Sequence, residues 1–308
     1  MSALRDETWN ALVTAGLDPE AVVDLVRRAL AEDLAGGVDV TTVSTVPEDA
    51  LSVGDLATRA DGVVAGLPVA AAVFELAGDA VVHPIVPDGA VVAEGTAIAS
   101  VAGSTRTLLT AERTALNLLG RLSGIATLTA IWVDAVRGTG AAVRDTRKTT
   151  PGLRALEKYA VRCGGGQNHR MSLSDAAMVK DNHVVAAGGV VAAFERVRAA
   201  HPDLPIEVEA DTVEDAVLAV EAGADLVLLD NMSTADLRRA VKLVGGRARL
   251  EASGGLTLGT ARKVASTGVD FLAVGALTHS VQVLDIGLDL RPLDEPGRRA
   301  VGADGSGA

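Results

Sequence analysis

The 308-residue chain has few aromatic residues, one cysteine and few lysines. Aromatic residues make up 2% of the chain and apolar residues 48%. The core must therefore be built from Ala, Val and Leu, which favours an α/β protein with helices packed closely on strands. The single cysteine, Cys163, excludes an intrachain disulfide and fits a reducing compartment. Basic positions before Lys148 are all Arg, so we expect Lys148 and Lys180 to lie where a compact point charge is needed.

Long hydrophobic runs are also scarce. The first residues, MSALRDETWN, carry charge and lack the apolar segment of a signal peptide. The longest uncharged apolar run, 63–74, contains Gly66 and Pro68 and falls short of the roughly 20 residues that a membrane span needs. We therefore expect a soluble cytoplasmic protein with no membrane partner.

Positive charge is concentrated in one segment of an acidic chain. Between Arg144 and Lys180 there are eight Lys or Arg and three acidic residues, a local charge of +5. Because the whole chain carries −12, the remaining residues sum to −17. Such a basic segment concentrates anions at one place. A solvated basic face is the alternative. A binding site is favoured because a glycine triplet and Cys, Asn and His residues are interleaved with the charges, which a solvated helix face would not need.

The N-terminal part predicts a small domain. Residues 18–34 form an amphipathic helix, with Asp18 as the cap, Pro19 at the first helical position and Gly36 and Gly37 at the end. Short Val- and Ala-rich runs from about 41 to 101 predict strands and turns. Similar glycine-rich strands form the sandwich of lipoyl and biotinyl carriers. Those carriers present a modified lysine, which this region lacks, so we predict a scaffold or lid.

One long helix is predicted at 110–137, with Thr110 as its cap. Apolar residues surround almost its whole circumference, so it should be buried between domains or subunits. Arg121 is an exception on this helix, and we expect its side chain to reach the surface.

Strand-like runs then recur along the rest of the chain. They end near Lys148, Lys180, Glu209, Asp230, Ser253 and Gly275. Each gap is long enough for one helix, as parallel strands require. Ser233 and Thr257 can cap two of these helices, and Gly245 lies where one stops. Only 33 residues follow Gly275, so the sequence predicts an incomplete parallel α/β barrel of six to seven strands. The predicted domains are 1–110 (an α+β sandwich), 111–291 (the barrel) and 292–308 (a disordered tail).

The polar residues at these strand ends indicate an active site, because barrel enzymes build their sites there. The SGG and VGA turns before helices suit phosphate groups. Glu209 and Asp230 could hold Mg²⁺ or stabilise a developing cation. Lys148 and Lys180 suit a polyphosphate, and the arginines suit carboxylates. The site as a whole would accept a monophosphate, a metal-bound diphosphate and a carboxylate-bearing molecule.

Several segments resemble the quinolinate phosphoribosyltransferase family, the carboxylating nicotinate-nucleotide pyrophosphorylases. They are RTALNLLGRLSGIAT, DTRKTTPGLRALEKYAVRCGGGQNHR, MVKDNH, IEVE, LLDN, SGG and VGALTHS. The resemblance extends from about residue 110 to 290, with a matching small domain before it. It implies a β-rich domain joined to an incomplete α/β barrel, and a homodimer or a multiple of dimers. The implied activity belongs to NAD biosynthesis: quinolinate and phosphoribosyl pyrophosphate give nicotinate mononucleotide, CO₂ and pyrophosphate.

The resemblance also implies roles for individual residues. Lys148, Lys180, Glu209 and Asp230 are the catalytic positions, with Glu209 and Asp230 facing the ribose and Mg²⁺. The substrate-binding positions are Arg113, Thr146, Arg147, His169, Arg170, Ser253, Gly254, Gly255, Val274, Gly275, Ala276 and His279. Among these, Arg113, Arg147, His169 and Arg170 match the residues that bind the two carboxylates of quinolinate. Arg113 would come from the neighbouring subunit. No nucleic-acid partner is expected.

Three alternatives remain open from the sequence. A pyrophosphorylase-like protein of molybdate gene clusters shares this fold and would use another acceptor. A different phosphate-binding barrel synthase would share the two glycine turns but has no reason for DTRKTTPG. A non-enzymatic carrier is disfavoured by the absence of lysine in the N-terminal domain.

Overall fold

The computed structural model describes residues 4–78 and 80–292. Its helices are α1 Asp6–Thr14, α2 Pro19–Leu34, α3 Val40–Thr45, α4 Leu67–Gly78, α5 Thr105–Ala135, α6 Arg154–Cys163, α7 Asp181–Ala187, α8 Val190–Ala200, α9 Val213–Glu221, α10 Thr234–Val244, α11 Leu258–Ala265 and α12 Ala276–His279. Its strands are β1 Leu51–Thr58, β2 Gly62–Val63, β3 Val81–Pro84, β4 Val91–Val92, β5 Ala97–Ser104, β6 Ala142–Arg144, β7 Ala177–Val179, β8 Ile206–Ala210, β9 Leu226–Asp230, β10 Arg249–Ser253, β11 Phe271–Ala273 and β12 Ile286–Pro292. The predicted tail falls outside the described residues from 293 onward.

The C-terminal half contains a parallel sheet of six strands in the order β6-β11-β10-β9-β8-β7. Runs such as LVLLD are apolar on both faces of the sheet, as expected for parallel strands covered by helices. Val227 and Leu229 in this run are fully buried. Within the described ranges the two end strands β6 and β7 are not hydrogen-bonded to each other, although Gln167 makes one parallel bridge to Arg144. The prediction of an incomplete α/β barrel is confirmed.

The N-terminal part is β-rich, as predicted, with an antiparallel sheet in the order β12-β1-β5-β3 and a short β2-β4 pair. One connection was not predicted. After the barrel, the chain returns and β12 pairs with β1, from Ser52 opposite Pro292 to Thr58 opposite Ile286. The last described strand therefore belongs to the N-terminal sheet.

The long helix α5 begins at Thr105, five positions before the predicted start, because β5 passes directly into it at Ser104. It is buried as predicted, with packing partners that include α4 and α6. By length and composition α5 would pass as a membrane span, but 56% of its most apolar window is buried inside the protein, as in the core helix of a soluble protein. At Gly124 a Cβ would lie 2.2 Å from the Gln282 carbonyl oxygen, so a close backbone crossing requires this glycine.

The expectation that Arg121 reaches the surface is met only in part, because its side chain is 28% exposed but its guanidinium group is held by buried partners. Its Nη2 lies 2.6 Å from Oε1 of the fully buried Glu157, and it also donates to the Thr150 hydroxyl at 2.7 Å. Hydrophobic periodicity could not show this, because Glu157 lies on α6. Arg121 is instead part of the support beneath the 146–150 loop.

The predicted helix caps agree with the structure. The Asp18 carboxylate accepts a hydrogen bond from the Glu20 amide, and Ser233 accepts one from the Asp236 amide. Thr257 forms a capping box with Thr260 at the start of α11. The α2 helix ends at Leu34 because Ala35 adopts a left-handed conformation with φ 47°, just before the predicted glycines.

Candidate active site

A cavity of about 460 Å³ opens where the carboxyl ends of the parallel strands meet. The sequence places polar residues at these ends, and the sheet brings their side chains to one edge. The lining residues are Thr146, Arg147, Lys148, His169, Arg170, Met178, Lys180, Glu209, Leu228, Asp230, Glu251, Ser253 and Ala273. A larger cavity of about 590 Å³ lies beside β7, α7 and α8 and shares Arg170 and Met178 with this one. The smaller cavity contains most of the predicted site residues, so we take it as the candidate active site.

Two guanidinium groups line this cavity, and neither forms an ion pair with a carboxylate of the described residues. Arg147 Nε is buried and makes no hydrogen bond within the described structure. Arg170 donates to the Ala176 carbonyl at 2.9 Å, and burial together with the neighbouring charge of Arg147 lowers its pKa. Two partly buried cations that repel each other form a strong site for an anion, and their planar forks suit carboxylates.

The cavity is also lined by side chains of both charges. Lys180 Nζ forms an ion pair with Glu209 at the ends of neighbouring strands. Asp230, at the end of β9, accepts a hydrogen bond from Asn231 Nδ2 at 2.6 Å through Oδ2. Lys148 is exposed at the rim. This arrangement suits a substrate that has both a cationic centre and an anionic leaving group.

The SGG turn is shaped by close contacts that only glycine permits. Gly254 has φ +88°, and a Cβ at this position would lie 2.2 Å from Asn231 Oδ1. Gly255 is also left-handed, with φ +59°. The turn leads into α11, so its amides lie near a helix N-terminus as predicted.

The VGA turn lies against Lys148. A Cβ at Gly275 would lie 3.0 Å from Lys148 Cδ and 3.2 Å from His279 Nε2. The Thr278 hydroxyl donates to the Lys148 carbonyl at 2.7 Å. Val274 is buried, while Gly275 and Ala276 are partly exposed at the start of α12. The structure thus brings Val274, Gly275, Ala276 and His279 near the rim, outside the residues that line the cavity.

One cation of the basic segment, Lys158, has a structural role that the sequence did not distinguish from substrate binding. Lys158 is fully buried and pairs with the fully buried Asp145. Its Nζ also donates to the His169 carbonyl at 2.8 Å, and Asp145 accepts from the His169 amide at 2.8 Å. Burial lowers the pKa of Lys158, and the charge of Asp145 opposes this shift. This pair holds the GGGQNHR loop in place, and Lys158 thereby positions His169 and Arg170.

Glu207 and Glu251 were missed by the sequence analysis. His169 Nε2 lies 2.7 Å from Glu207 Oε2 and 3.5 Å from Glu251 Oε1, and Arg144 Nη1 lies 2.7 Å from Glu251 Oε2. Burial, followed by the charge of Glu207, raises the pKa of Glu251 to about 7. The signal for both residues was the two-residue spacing from Glu207 to Glu209 and from Glu251 to Ser253, which puts each pair on one face of a strand.

Arg113 does not reach this cavity. It is exposed on α5, and in the portion of the chain that the structure describes it has no hydrogen-bond or ion-pair partner. Its predicted role in a neighbouring subunit's site therefore stays a prediction.

The fold and the site define an incomplete α/β barrel protein whose strand ends place charged side chains around one cavity. The family model for the quinolinate phosphoribosyl transferase N-terminal domain matches residues 39–123, and that for the C-terminal domain matches residues 125–289. The chain belongs to this family.

Curated relatives and solved structures agree. A Mycobacterium leprae protein named nicotinate-nucleotide pyrophosphorylase [carboxylating] is 54% identical over 280 residues, covering 88% of this chain and 98% of that protein. A Bacillus subtilis protein named a probable nicotinate-nucleotide pyrophosphorylase [carboxylating] is 40% identical over 270 residues, covering 86% and 92%. The crystal structure of NadC from Streptococcus pyogenes superposes with a TM-score of 0.87 at 40% identity, covering 90% of this chain and 99% of that chain.

Proposed function

We propose that this protein is a decarboxylating quinolinate phosphoribosyltransferase of NAD biosynthesis. It would convert quinolinate and phosphoribosyl pyrophosphate to nicotinate mononucleotide, CO₂ and pyrophosphate. The observation that carries the proposal is the cavity of a family member, which is lined by the guanidinium groups of Arg147 and Arg170 together with Lys180, Glu209 and Asp230. The relatives of this chain that are named for this reaction disfavour the two other enzymes considered, a pyrophosphorylase-like protein of molybdate gene clusters and a different phosphate-binding barrel synthase.

Quinolinate would bind through its two carboxylates to Arg147 and Arg170. His169, another predicted carboxylate ligand, already has hydrogen-bond partners within the protein. Its Nδ1 accepts the Arg170 amide at 2.7 Å, so the ring proton is on Nε2, which donates to Glu207. His169 would contact a substrate carboxylate only by releasing Glu207, and until then it holds the Arg170 backbone in place.

Phosphoribosyl pyrophosphate would lie between the lysines and the two glycine turns. Lys148 and Lys180 would stabilise the departing pyrophosphate, and the Glu209 and Asp230 carboxylates would stabilise a cationic ribose as the pyridine nitrogen attacks C1. The ribosylated ring is then cationic, so the C2 carboxylate can leave as CO₂ with its electron pair held at C2 beside N⁺, and C2 then takes up a proton from solvent to give nicotinate mononucleotide. This mechanism requires no covalent enzyme intermediate.

Glu209 and Asp230 are the residues that would hold Mg²⁺. Both supply the oxygen ligands that Mg²⁺ prefers. Asp230 Oδ1 accepts no hydrogen bond in the described structure, which leaves it available to a cation. When bound, the ion would neutralise negative charge on the pyrophosphate.

The assembly we propose is a homodimer or a multiple of dimers in the cytoplasm. Arg113 supports it, because this exposed cation lies outside its own cavity on a helix that is otherwise largely buried. Across a two-fold axis, each subunit would supply Arg113 to its partner's site.

The test is release of labelled CO₂ from quinolinate that carries the label in its C2 carboxylate. We expect release only when phosphoribosyl pyrophosphate and Mg²⁺ are both present, with pyrophosphate formed in equal amount. The matched control is Lys263→Met, an exposed lysine on α11 outside the cavity, which should leave the rate unchanged. Absence of labelled CO₂ from folded wild-type protein under these conditions would show that the acceptor is a different molecule.

A further inference from the structure

The floor of the cavity contains a buried charge cluster made of Arg144, His169, Glu207 and Glu251. Glu251 is fully buried and Glu207 is 4% exposed. One carboxylate oxygen of each, Oε1, has no hydrogen-bond partner in the described structure. Arg144 supplies one positive charge and His169 is neutral when its Nδ1 accepts the Arg170 amide. With both carboxylates ionised, the cluster therefore has one negative charge in excess.

A metal ion is one way to balance this charge, since the ligand atoms of His169, Glu207 and Glu251 lie within 4.8 Å of one another. The histidine tautomer argues against it. A ligating Nε2 would have to lose its proton, and the proton would then move to Nδ1, which faces the Arg170 N–H at 2.7 Å. One proton on a carboxylate balances the charge without this clash.

Building on the proposed function, we propose that Glu251 sets the charge of the dicarboxylate pocket by holding one proton while quinolinate is bound. Glu251 lines the same cavity as Arg147 and Arg170. If Glu251 were ionised, its negative charge would offset part of the attraction that Arg147 and Arg170 exert on a dianion. A neutral Glu251 removes that opposition while its Oε2 still accepts the hydrogen bond from Arg144.

The surroundings of Glu251 favour the neutral form. Arg144 on β6 and His169 each contact one of its carboxylate oxygens, and Glu207 on β8 is the like charge nearby. The neighbouring strands place Leu228 and Phe271 beside it in register, and neither titrates. The pKa of Glu251 is raised to about 7 in the empty pocket, and a bound dianion would raise it further because like charges disfavour ionisation.

This linkage predicts a pH dependence of substrate capture. The quinolinate carboxylates are already ionised above about pH 6. Below pH 7, Glu251 is mostly protonated and kcat/KM for quinolinate should be constant. Above pH 7, binding must take up a proton, and kcat/KM should fall by roughly tenfold by pH 8, approaching tenfold per further pH unit.

The experiment measures kcat/KM for quinolinate from pH 6 to 8.5 at saturating phosphoribosyl pyrophosphate, in wild type, Glu251→Gln and Glu221→Gln. Glutamine is neutral and can still accept from Arg144, so the kcat/KM of Glu251→Gln should not fall between pH 7 and pH 8. Glu221→Gln, an exposed change on α9, should follow the wild-type profile. The proposal is overturned if the wild-type profile is flat, or if Glu251→Gln retains the wild-type fall.

A second measurement decides the matter even if Glu251→Gln does not fold. Calorimetric titration of wild type with quinolinate in two buffers of different ionisation enthalpy gives the number of protons taken up. We expect nearly none at pH 6 and close to one at pH 8, and zero uptake at pH 8 would overturn the proposal. Failure here is separate from failure of the proposed function, because release of labelled CO₂ at pH 6.5 tests the reaction whatever the state of Glu251.

Discussion

Replacing Lys158 with methionine tests how the GGGQNHR loop is held in place. Lys158 and Asp145 are fully buried and paired, and Lys158 also donates to the His169 carbonyl at 2.8 Å. Methionine fills a similar volume but removes the charge and the hydrogen-bond donor. The Asp145 carboxylate would still accept hydrogen bonds from Asn168 Nδ2 at 2.6 Å and from the His169 amide at 2.8 Å, but it would have lost its cationic partner.

The expected loss in the free energy of unfolding is about 3–5 kcal/mol, the range for removing one partner of a buried ion pair. Asp145→Asn should cost a similar amount, because it leaves the Lys158 ammonium buried without its counter-charge. The double variant removes both charges. It should therefore be more stable than the sum of the two single losses predicts, by about 0.5–3 kcal/mol of coupling.

Urea unfolding of the four proteins gives these free energies, and Lys263→Met is the matched surface control, expected within about 0.5 kcal/mol of wild type. The kinetic readout is kcat/KM for quinolinate. It should fall by roughly 10²-fold in Lys158→Met, because His169 and Arg170 lose the anchor that sets their positions. A loss below about 1 kcal/mol, or additive single and double variants, would show that the pair does not support the loop.

Four further predictions concern the substrates and the dimer. Nicotinate, with one carboxylate, should be at least about 10²-fold poorer than quinolinate, since it leaves a buried cation unpaired; comparable turnover of the two acids in the same assay would contradict this. Arg147→Lys keeps the charge but loses the fork, so activity should drop sharply while the circular dichroism spectrum is unchanged. Glu209→Gln and Asp230→Asn should lower kcat more than they raise the KM for quinolinate, because the charge they balance develops in the transition state; an effect on KM alone would mean that their roles are misassigned. Arg113→Ala and Lys148→Ala should each be nearly inactive, but co-expression should restore roughly a quarter of wild-type sites, because half of randomly paired dimers are mixed and each has one intact site. If subunit exchange is confirmed by mass spectrometry and no activity returns, Arg113 does not act in trans.

The fold was predictable because its signals are local and repeated. Strand-like runs at intervals long enough for a helix require parallel pairing, and the polar residue at the end of each run locates the site at one edge of the sheet. The helix boundaries were less predictable. The start of α5 was placed five residues late because Thr110 looks like a cap, whereas β5 runs into the helix through Ser104 without an intervening turn.

Partners distant in sequence explain the errors within the site. Nothing near Arg121 indicates that it would meet Glu157, which is 36 residues away on α6. The same holds for Lys158 and Asp145, which were counted as part of one basic segment although they form a buried pair. A charge count along the chain gives the net charge of a segment, but it cannot separate cations that would bind substrate from cations that hold a loop in place.

The Glu207–Glu251 contact shows which step requires the folded barrel. The two-residue alternation of IEVEA and LEAS already places Glu207, Glu209 and Glu251 on inward faces of their strands. By register, however, Leu228 lies opposite both Glu209 and Glu251, so a flat sheet would bring Glu251 level with Glu209. In the structure Glu251 instead joins Glu207 through His169. In a closing barrel the strands are tilted, which shifts inward-facing side chains along the barrel axis. Inward side chains from alternate strands then lie in the same layer. As a result Glu209 pairs with Lys180, where the proposed reaction would develop charge. Glu251 is fully buried in the lining of the cavity that Arg147 and Arg170 also line, where an ionised carboxylate would oppose the proposed anion binding.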